Sequence, residues 1–103
     1  MGHARRRPKR LAEKLREIRI MLGLSQAELH KSLGVDQDIA YTRISDYELD
    51  KNEPSLLVLL EYARVAGVHL EHIVDDRVDL PSRLPGSVTY EPRNKTRKKR
   101  GAL

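Results

Sequence analysis

Gln37, Tyr41, Thr42, Arg43, Ser45 and Asp46 gather on the polar side of one short periodic stretch. All but the aspartate can donate a hydrogen bond. A helix face of that kind suits the reading of hydrogen-bonding edges, such as those that base pairs present in a groove. His69 and His72 stand three residues apart, with Glu71 and Asp75 beside them. Those are metal-donor types. Their place at the start of a short predicted helix favours a partly exposed structural pair, and no metal is expected. Glu13 with Glu17, and Asp75 with Asp76, pair carboxylates in sequence without any cleft residues around them, so they read as helix surface charge. No serine sits in a glycine elbow, and the six glycines are scattered at turns rather than gathered into a phosphate cradle. The absence of cysteine removes thiolate zinc sites, disulfides and cysteine nucleophiles. Nothing supports an enzyme, a cofactor or a small-molecule substrate.

Charge points to a polyanion. The 103 residues carry 20 Lys+Arg and 15 Asp+Glu, a net of +5. Residues 1–10 hold Arg5, Arg6, Arg7, Lys9 and Arg10 and no acid. Residues 93–103 hold Arg93, Lys95, Arg97, Lys98, Lys99 and Arg100 and no acid. The body between them is acidic, with nine bases against fifteen acids. Basic runs without apolar residues cannot bury enough surface to offset chain entropy, so both ends read as disordered arms. Arms of this kind suit phosphate, because each one neutralised releases counterions. The plainer alternative is a solvated tail. The longest apolar run, residues 56–60, is far too short for a membrane span, and the basic start has no apolar stretch behind it to make a secretory signal. The expected setting is cytoplasmic, against nucleoid DNA.

Length allows one small domain with tails. Phe and Trp are absent and there are four Tyr, so the core must be aliphatic. Leu11, Leu15, Ile18 and Leu22 mark one face of a first helix beginning near Pro8, and Gly23 can end it. Ser25 and Glu28 form a capping box for a second helix reaching about Leu33, where Gly34 stops it. Ala40, Ile44 and Tyr47 predict a third helix, with Asp36 or Asp38 as its cap. Residues 50–54 form a polar turn, Ser55 caps an apolar fourth helix ending at Gly67, and residues 70–75 make a short fifth. Val88 and Tyr90 permit a brief strand. A short helix, a glycine turn and a second helix with a polar outer face make a helix-turn-helix, whose second helix can sit in the major groove.

At this point five motifs carry a family resemblance. Leu15-Arg16-Glu17-Ile18-Arg19, Leu24-Ser25-Gln26-Ala27-Glu28-Leu29, Leu33-Gly34-Val35, Arg43-Ile44-Ser45-Asp46-Tyr47-Glu48 and Glu53-Pro54-Ser55 stand in order, followed by the apolar helix. Together they resemble the phage-repressor-like (Xre/Cro-type) helix-turn-helix family from about residue 11 to 75. The resemblance implies an all-α, five-helix, lambda-repressor-like domain, duplex DNA as partner, bacterial or phage transcription control, and often a homodimer. It implies base reading by Tyr41, Thr42, Arg43, Ser45 and Asp46, and phosphate contacts from Gln26, Gln37, Lys51, Asn52 and Ser55. Arg43 is the strongest candidate reader, because its fork fits guanine. The basic arms, including Arg97, Lys98, Lys99 and Arg100, would add affinity without sequence information.

Several positions depart from the family pattern. The stretch from Gly34 to Ile44 is about four residues longer, which enlarges the turn or starts the recognition helix a turn earlier. His30 stands in place of the usual small residue, and Asp50 in place of glycine. Asp46 puts an acid where phosphates or bases would lie. The expected organisation is a basic arm over residues 1–10, the domain over 11–76, an extended strap or dimerisation arm over 77–92, and a basic tail over 93–103. The competing class is a protein-interaction module, an antitoxin or adaptor that keeps the fold with weak DNA binding. An RNA binder acting through its tails is the third reading, and it has no aromatic stacking platform.

Overall fold

The computed structural model describes residues 7–35 and 38–85. It contains α1 (Leu11–Leu22), α2 (Gln26–Leu33), α3 (Thr42–Glu48), α4 (Leu56–Ala66) and α5 (Leu70–Val74), and the described residues hold no strand. The arms at Arg5, Arg6, Arg97, Lys98, Lys99 and Arg100, the cap candidate Asp36, Gln37 and the strand expected near Val88 lie outside the described residues.

Local chemistry explains the helix ends. α1 stops at Gly23, whose φ of 73° is a left-handed conformation open to glycine at no steric cost. The capping box at α2 is complete. Ser25 Oγ accepts from Glu28 N at 3.1 Å, and Glu28 Oε1 accepts from Ser25 N at 2.8 Å. Ser25 caps α2 and Ser55 caps α4, whereas α3 opens at Tyr41 with no side-chain cap bond. Asp38 lies in the preceding turn and does not cap α3.

One core joins all five helices. Leu15 and Ile18 from α1, Leu29 from α2, Ile44 from α3, Tyr62 from α4 and Ile73 from α5 are fully buried. α1 packs on α3, α4 and α5, and α4 packs on α1, α2 and α5. Ala40 corrects the predicted face of the third helix: it is exposed and precedes the helix, which starts two residues later. The reason is a turn in which the Val35 carbonyl accepts both Asp38 N, at 2.9 Å, and Ile39 N, at 3.0 Å. That turn closes before Ala40, and the bonds of the next helix begin only at the Ala40 and Tyr41 carbonyls.

Two long-range caps close the ends of α1 and α5. The Asp76 carboxylate accepts from Lys9 N at 2.8 Å and Arg10 N at 3.0 Å, serving α1 where Arg10 offers no side-chain cap. These bonds hold its pKa below the usual carboxylate value. In return, Lys14 of α1 is completely buried, and its ammonium donates to the carbonyls of His72 (2.8 Å), Asp75 (2.9 Å) and Val78. Three acceptors around one nitrogen require the protonated, three-donor form. The chain beyond α5 then runs back over the domain, with Leu80 packed against the core and Leu84 fully buried in it.

The Tyr62 hydroxyl is buried and has no hydrogen-bond partner among the described residues. Burial pushes its pKa up, and the nearby Glu48 carboxylate adds to the shift. Tyr62→Phe is therefore expected to leave stability unchanged or raise it by about 1 kcal/mol, because an unsatisfied hydroxyl gives back its desolvation cost when removed. A urea midpoint that falls by the equivalent of a lost hydrogen bond would show that the hydroxyl is paired in solution.

Candidate nucleic-acid interface

α2 and α3 form a helix-turn-helix with an enlarged connection. α3 begins at Thr42, so the added length does not extend α3. His30, on α2, enters that turn. Its Nε2 lies 2.7 Å from the Ile39 carbonyl, and its ring meets Tyr41 edge-on at a centroid distance of 6.5 Å. A carbonyl only accepts, so Nε2 carries the proton.

The far end of α3 is pinned by a buried ion pair. Glu48 is 3% exposed and Arg19 17%. Arg19 Nε donates to Glu48 Oε2 at 2.7 Å and Nη2 to Oε1 at 3.1 Å, a bidentate pair. Arg19 Nη1 also donates to the Leu24 carbonyl at 3.0 Å, and Gln26 Nε2 donates to Glu48 Oε1 at 3.2 Å. One carboxylate thus ties together α1, the α1–α2 turn, α2 and α3. The hydrogen bonds that Arg19 donates to Glu48 raise its pKa, against the opposing effect of burial. The motifs quoted for the family contain both residues, yet their separation of 29 in sequence carries no periodic signal that would pair them.

The start of α3 faces outward. Tyr41 is 54% exposed, and Thr42 and Arg43 are exposed as well. Ser45 and Asp46 are half-buried one turn further along. Tyr47 belongs to the core, as its spacing from Ile44 predicts.

The α3–α4 loop brings further groups beside Arg43. With its oxygen turned toward Arg43, the Asn52 amide accepts from Nη1 at 2.9 Å and donates to the Lys51 carbonyl at 3.3 Å. The reverse orientation would set its nitrogen against Nη1 for a single 3.4 Å bond to Asp46 Oδ2, and two facing donors repel. Asn52 is therefore engaged with the candidate base reader in the free protein. Lys51 is exposed, with its backbone N–H bonded to the Asp46 carbonyl at 2.9 Å. Asp50 adopts φ 61°, the left-handed conformation for which glycine is the ordinary choice and Asp a tolerated one. Its carboxylate takes Arg7 Nη2 at 2.7 Å. Ser55 Oγ accepts from Val58 N at 3.2 Å, so the hydroxyl proton remains to donate at the N-terminus of α4.

The described part of the N-terminal arm is divided in its allegiance. Arg7 sits in an exposed pair with Asp50, and exposed pairs are worth about 0–1 kcal/mol, so exchange for a phosphate is cheap. Arg10 is committed to the fold: Nη2 reaches Asp79 at 2.8 Å and Nη1 donates to the Asp76 carbonyl at 3.1 Å. The side chain of Lys9 is exposed. In α5, His72 Nδ1 accepts from His69 N at 3.2 Å and the two rings stack at 5.7 Å. That bond occupies one ring nitrogen of His72, and no cluster of three or more donor residues is placed to hold an ion among the described residues.

The family model described as helix-turn-helix matches residues 15–73, more than half of the chain, with most of α1, all of α2 to α4 and most of α5 inside it. The chain belongs to this family, the phage-repressor-like (Xre/Cro-type) helix-turn-helix proteins, and is all-α with five helices among its described residues. That membership places it with DNA-binding regulators. No curated protein and no solved structure matches the chain. No helix among the described residues is long and apolar enough to cross a membrane.

Proposed function

We propose that this chain is a sequence-specific, non-enzymatic transcriptional regulator of repressor type, reading the major groove of duplex DNA with α3. The carrying observation is the exposed Tyr41-Thr42-Arg43 tip on a helix whose other end is locked to Arg19 and Gln26. A short helix presents bases reliably only if its frame is rigid, and here three segments hold it. Arg43 reads a base, with Tyr41, Thr42, Ser45 and Asp46 beside it. Lys51 and Ser55 meet phosphates. Gln26 and Asn52 act through Glu48 and Arg43, which is a bracing role beside the phosphate role the resemblance implies. The basic arms contribute affinity that carries no sequence information. The protein works as a homodimer in a bacterial or phage setting, on cytoplasmic nucleoid DNA, since one domain this small reads few bases alone.

Selection from a random duplex pool at near-physiological salt tests this reading. A recovered motif supports it, and a palindrome with half-sites one helical turn apart supports the dimer. Arg43→Ala is then expected to cost about 1–3 kcal/mol on the selected duplex, roughly 5- to 150-fold in affinity, with a nearly unchanged salt slope. A variant that binds as the wild type does, together with collapse on removing residues 1–6 and 93–103, would assign binding to the arms alone.

One observation favours the competing protein-interaction module. Asp46 and Asp50 put two acids next to Lys51, and Asp50 already consumes Arg7. Failure of the pool to yield any retained duplex would decide for that module.

A further inference from the structure

α3 is seven residues long, has no side-chain cap bond at Tyr41 and no acid in its first turn. Isolated helices of that length do not persist in water. Its C-terminal end is locked through Glu48, so the question is what fixes the end that carries Tyr41, Thr42 and Arg43. α2 and α4 begin with serine caps, and α3 has none. The approach to α3 is instead held from the side by His30. The imidazole Nε2–H donates to the Ile39 carbonyl two residues before Tyr41, at the short distance of 2.7 Å, and the ring edge meets the Tyr41 ring. The Ile39 side chain packs against the core and anchors the same point from below. Downstream, Arg43 N donates to the Ala40 carbonyl and Ile44 N to the Tyr41 carbonyl, each at 3.0 Å, so the first turn of α3 is built directly on the segment that His30 holds.

We propose that His30 is a positioning and specificity-determining residue for base reading: it holds the segment that leads into the uncapped start of α3 and so sets where the Arg43 fork points. The inference rests on the reading of α3 as the recognition helix. His30 touches no base in this account, so its effect is felt through Tyr41 and Arg43. A bidentate guanidinium contact needs two N–H groups at hydrogen-bond distance together, and a displacement of about 1 Å forfeits one of them. Phosphate contacts tolerate the same displacement, because a point charge is far less directional. Loss of His30 therefore lowers discrimination while sparing general affinity.

Two variants separate the hydrogen bond from the bulk of the ring. His30→Leu keeps volume and removes the donor; His30→Gln keeps an N–H donor of similar reach. Both are compared with the wild-type full chain on the selected duplex and on a scrambled duplex of equal length, with salt series for each. Amide exchange of Arg43 and Ile44 is followed in the duplex-free proteins. H30L is expected to lower the selected-to-scrambled affinity ratio about tenfold with an unchanged salt slope, and to speed exchange at Arg43 and Ile44 about tenfold while the amides of α4 keep their protection. H30Q is expected to stay within about threefold of wild type on both readouts. Wild-type discrimination and exchange in H30L would overturn the proposal, and so would equal losses in H30L and H30Q. If the wild type itself selects no motif, the recognition reading fails. Exchange then decides the latch alone: faster exchange confined to the start of α3 in H30L sustains it, and equal exchange overturns it. If H30L does not fold, H30Q at wild-type values sustains the proposal and H30Q with reduced discrimination overturns it.

Discussion

Glu48→Ala is expected to destabilise the domain by about 3–5 kcal/mol, because it strands a largely buried guanidinium that now has two hydrogen bonds to the lost carboxylate. In a domain of this size each kcal/mol lowers Tm by roughly 4–8 °C, so the loss is visible in any thermal melt. Arg19→Met in the Glu48→Ala background should recover part of it, since the uncompensated charge goes with the arginine. The double variant would still lack the clamp on the end of α3. Its expected signature is a folded protein with reduced discrimination between duplexes. A loss below about 1 kcal/mol for Glu48→Ala would mean that the pair contributes no more than an exposed one.

Lys14→Met carries the second large effect, and its origin is different. Among the described residues no carboxylate accepts from Lys14; three main-chain carbonyls do, at the end of α5 and in the segment after it. Methionine matches the stem and leaves those carbonyls buried without their donor. Each orphaned acceptor costs about 1–3 kcal/mol when water cannot reach it, and partial rearrangement brings the expected total to about 3 kcal/mol. A pH signature distinguishes this from simple loss of packing. Burial holds the Lys14 ammonium below its ordinary pKa of 10.5, with the neighbouring Arg10 pushing the same way. Between the lowered folded value and 10.5, the unfolded chain binds the extra proton, so this group makes stability rise with pH across that window. Lys14→Met should remove that rise. Denaturant midpoints measured across the window on both proteins check it, and parallel curves would show that Lys14 titrates normally in the fold.

The elements of this fold were legible where the governing chemistry is local. Ser25 with Glu28, Gly23, Gly34 and the spacing of Leu11, Leu15 and Ile18 act within a few residues, and each appears in the structure in its expected role. Asp50 in the left-handed region follows the same logic, as a residue standing where glycine is usual. Ala40 did not follow it. Its four-residue spacing from Ile44 suits a helix, but the bonds to the Val35 carbonyl and from His30 shape that stretch as a turn. The exposed tip at Tyr41, Thr42 and Arg43 was readable from its polarity. What holds that tip was not. Arg19 meets Glu48 across 29 positions, Lys14 reaches carbonyls 58 to 64 positions away, and Arg7 finds Asp50 across 43. Pairings at such separations leave no periodicity, because they arise from how helices pack. Asn52 shows the same limit: its place beside Arg43 depends on the loop's path.

The segment that returns over the bundle after α5 sets where this protein can be divided. The family match ends at residue 73, yet a chain cut there would remove the Asp75 and Val78 carbonyls that receive Lys14, the Asp76 carboxylate that closes α1, and Leu84 from the core. The emptied Leu84 site alone corresponds to the removal of a fully buried leucine, about 2–5 kcal/mol in comparable cores. A fusion joint or an excised fragment meant to preserve the fold belongs beyond Leu84. For this chain the borders of the shared motif and those of the cooperative unit differ by at least eleven residues.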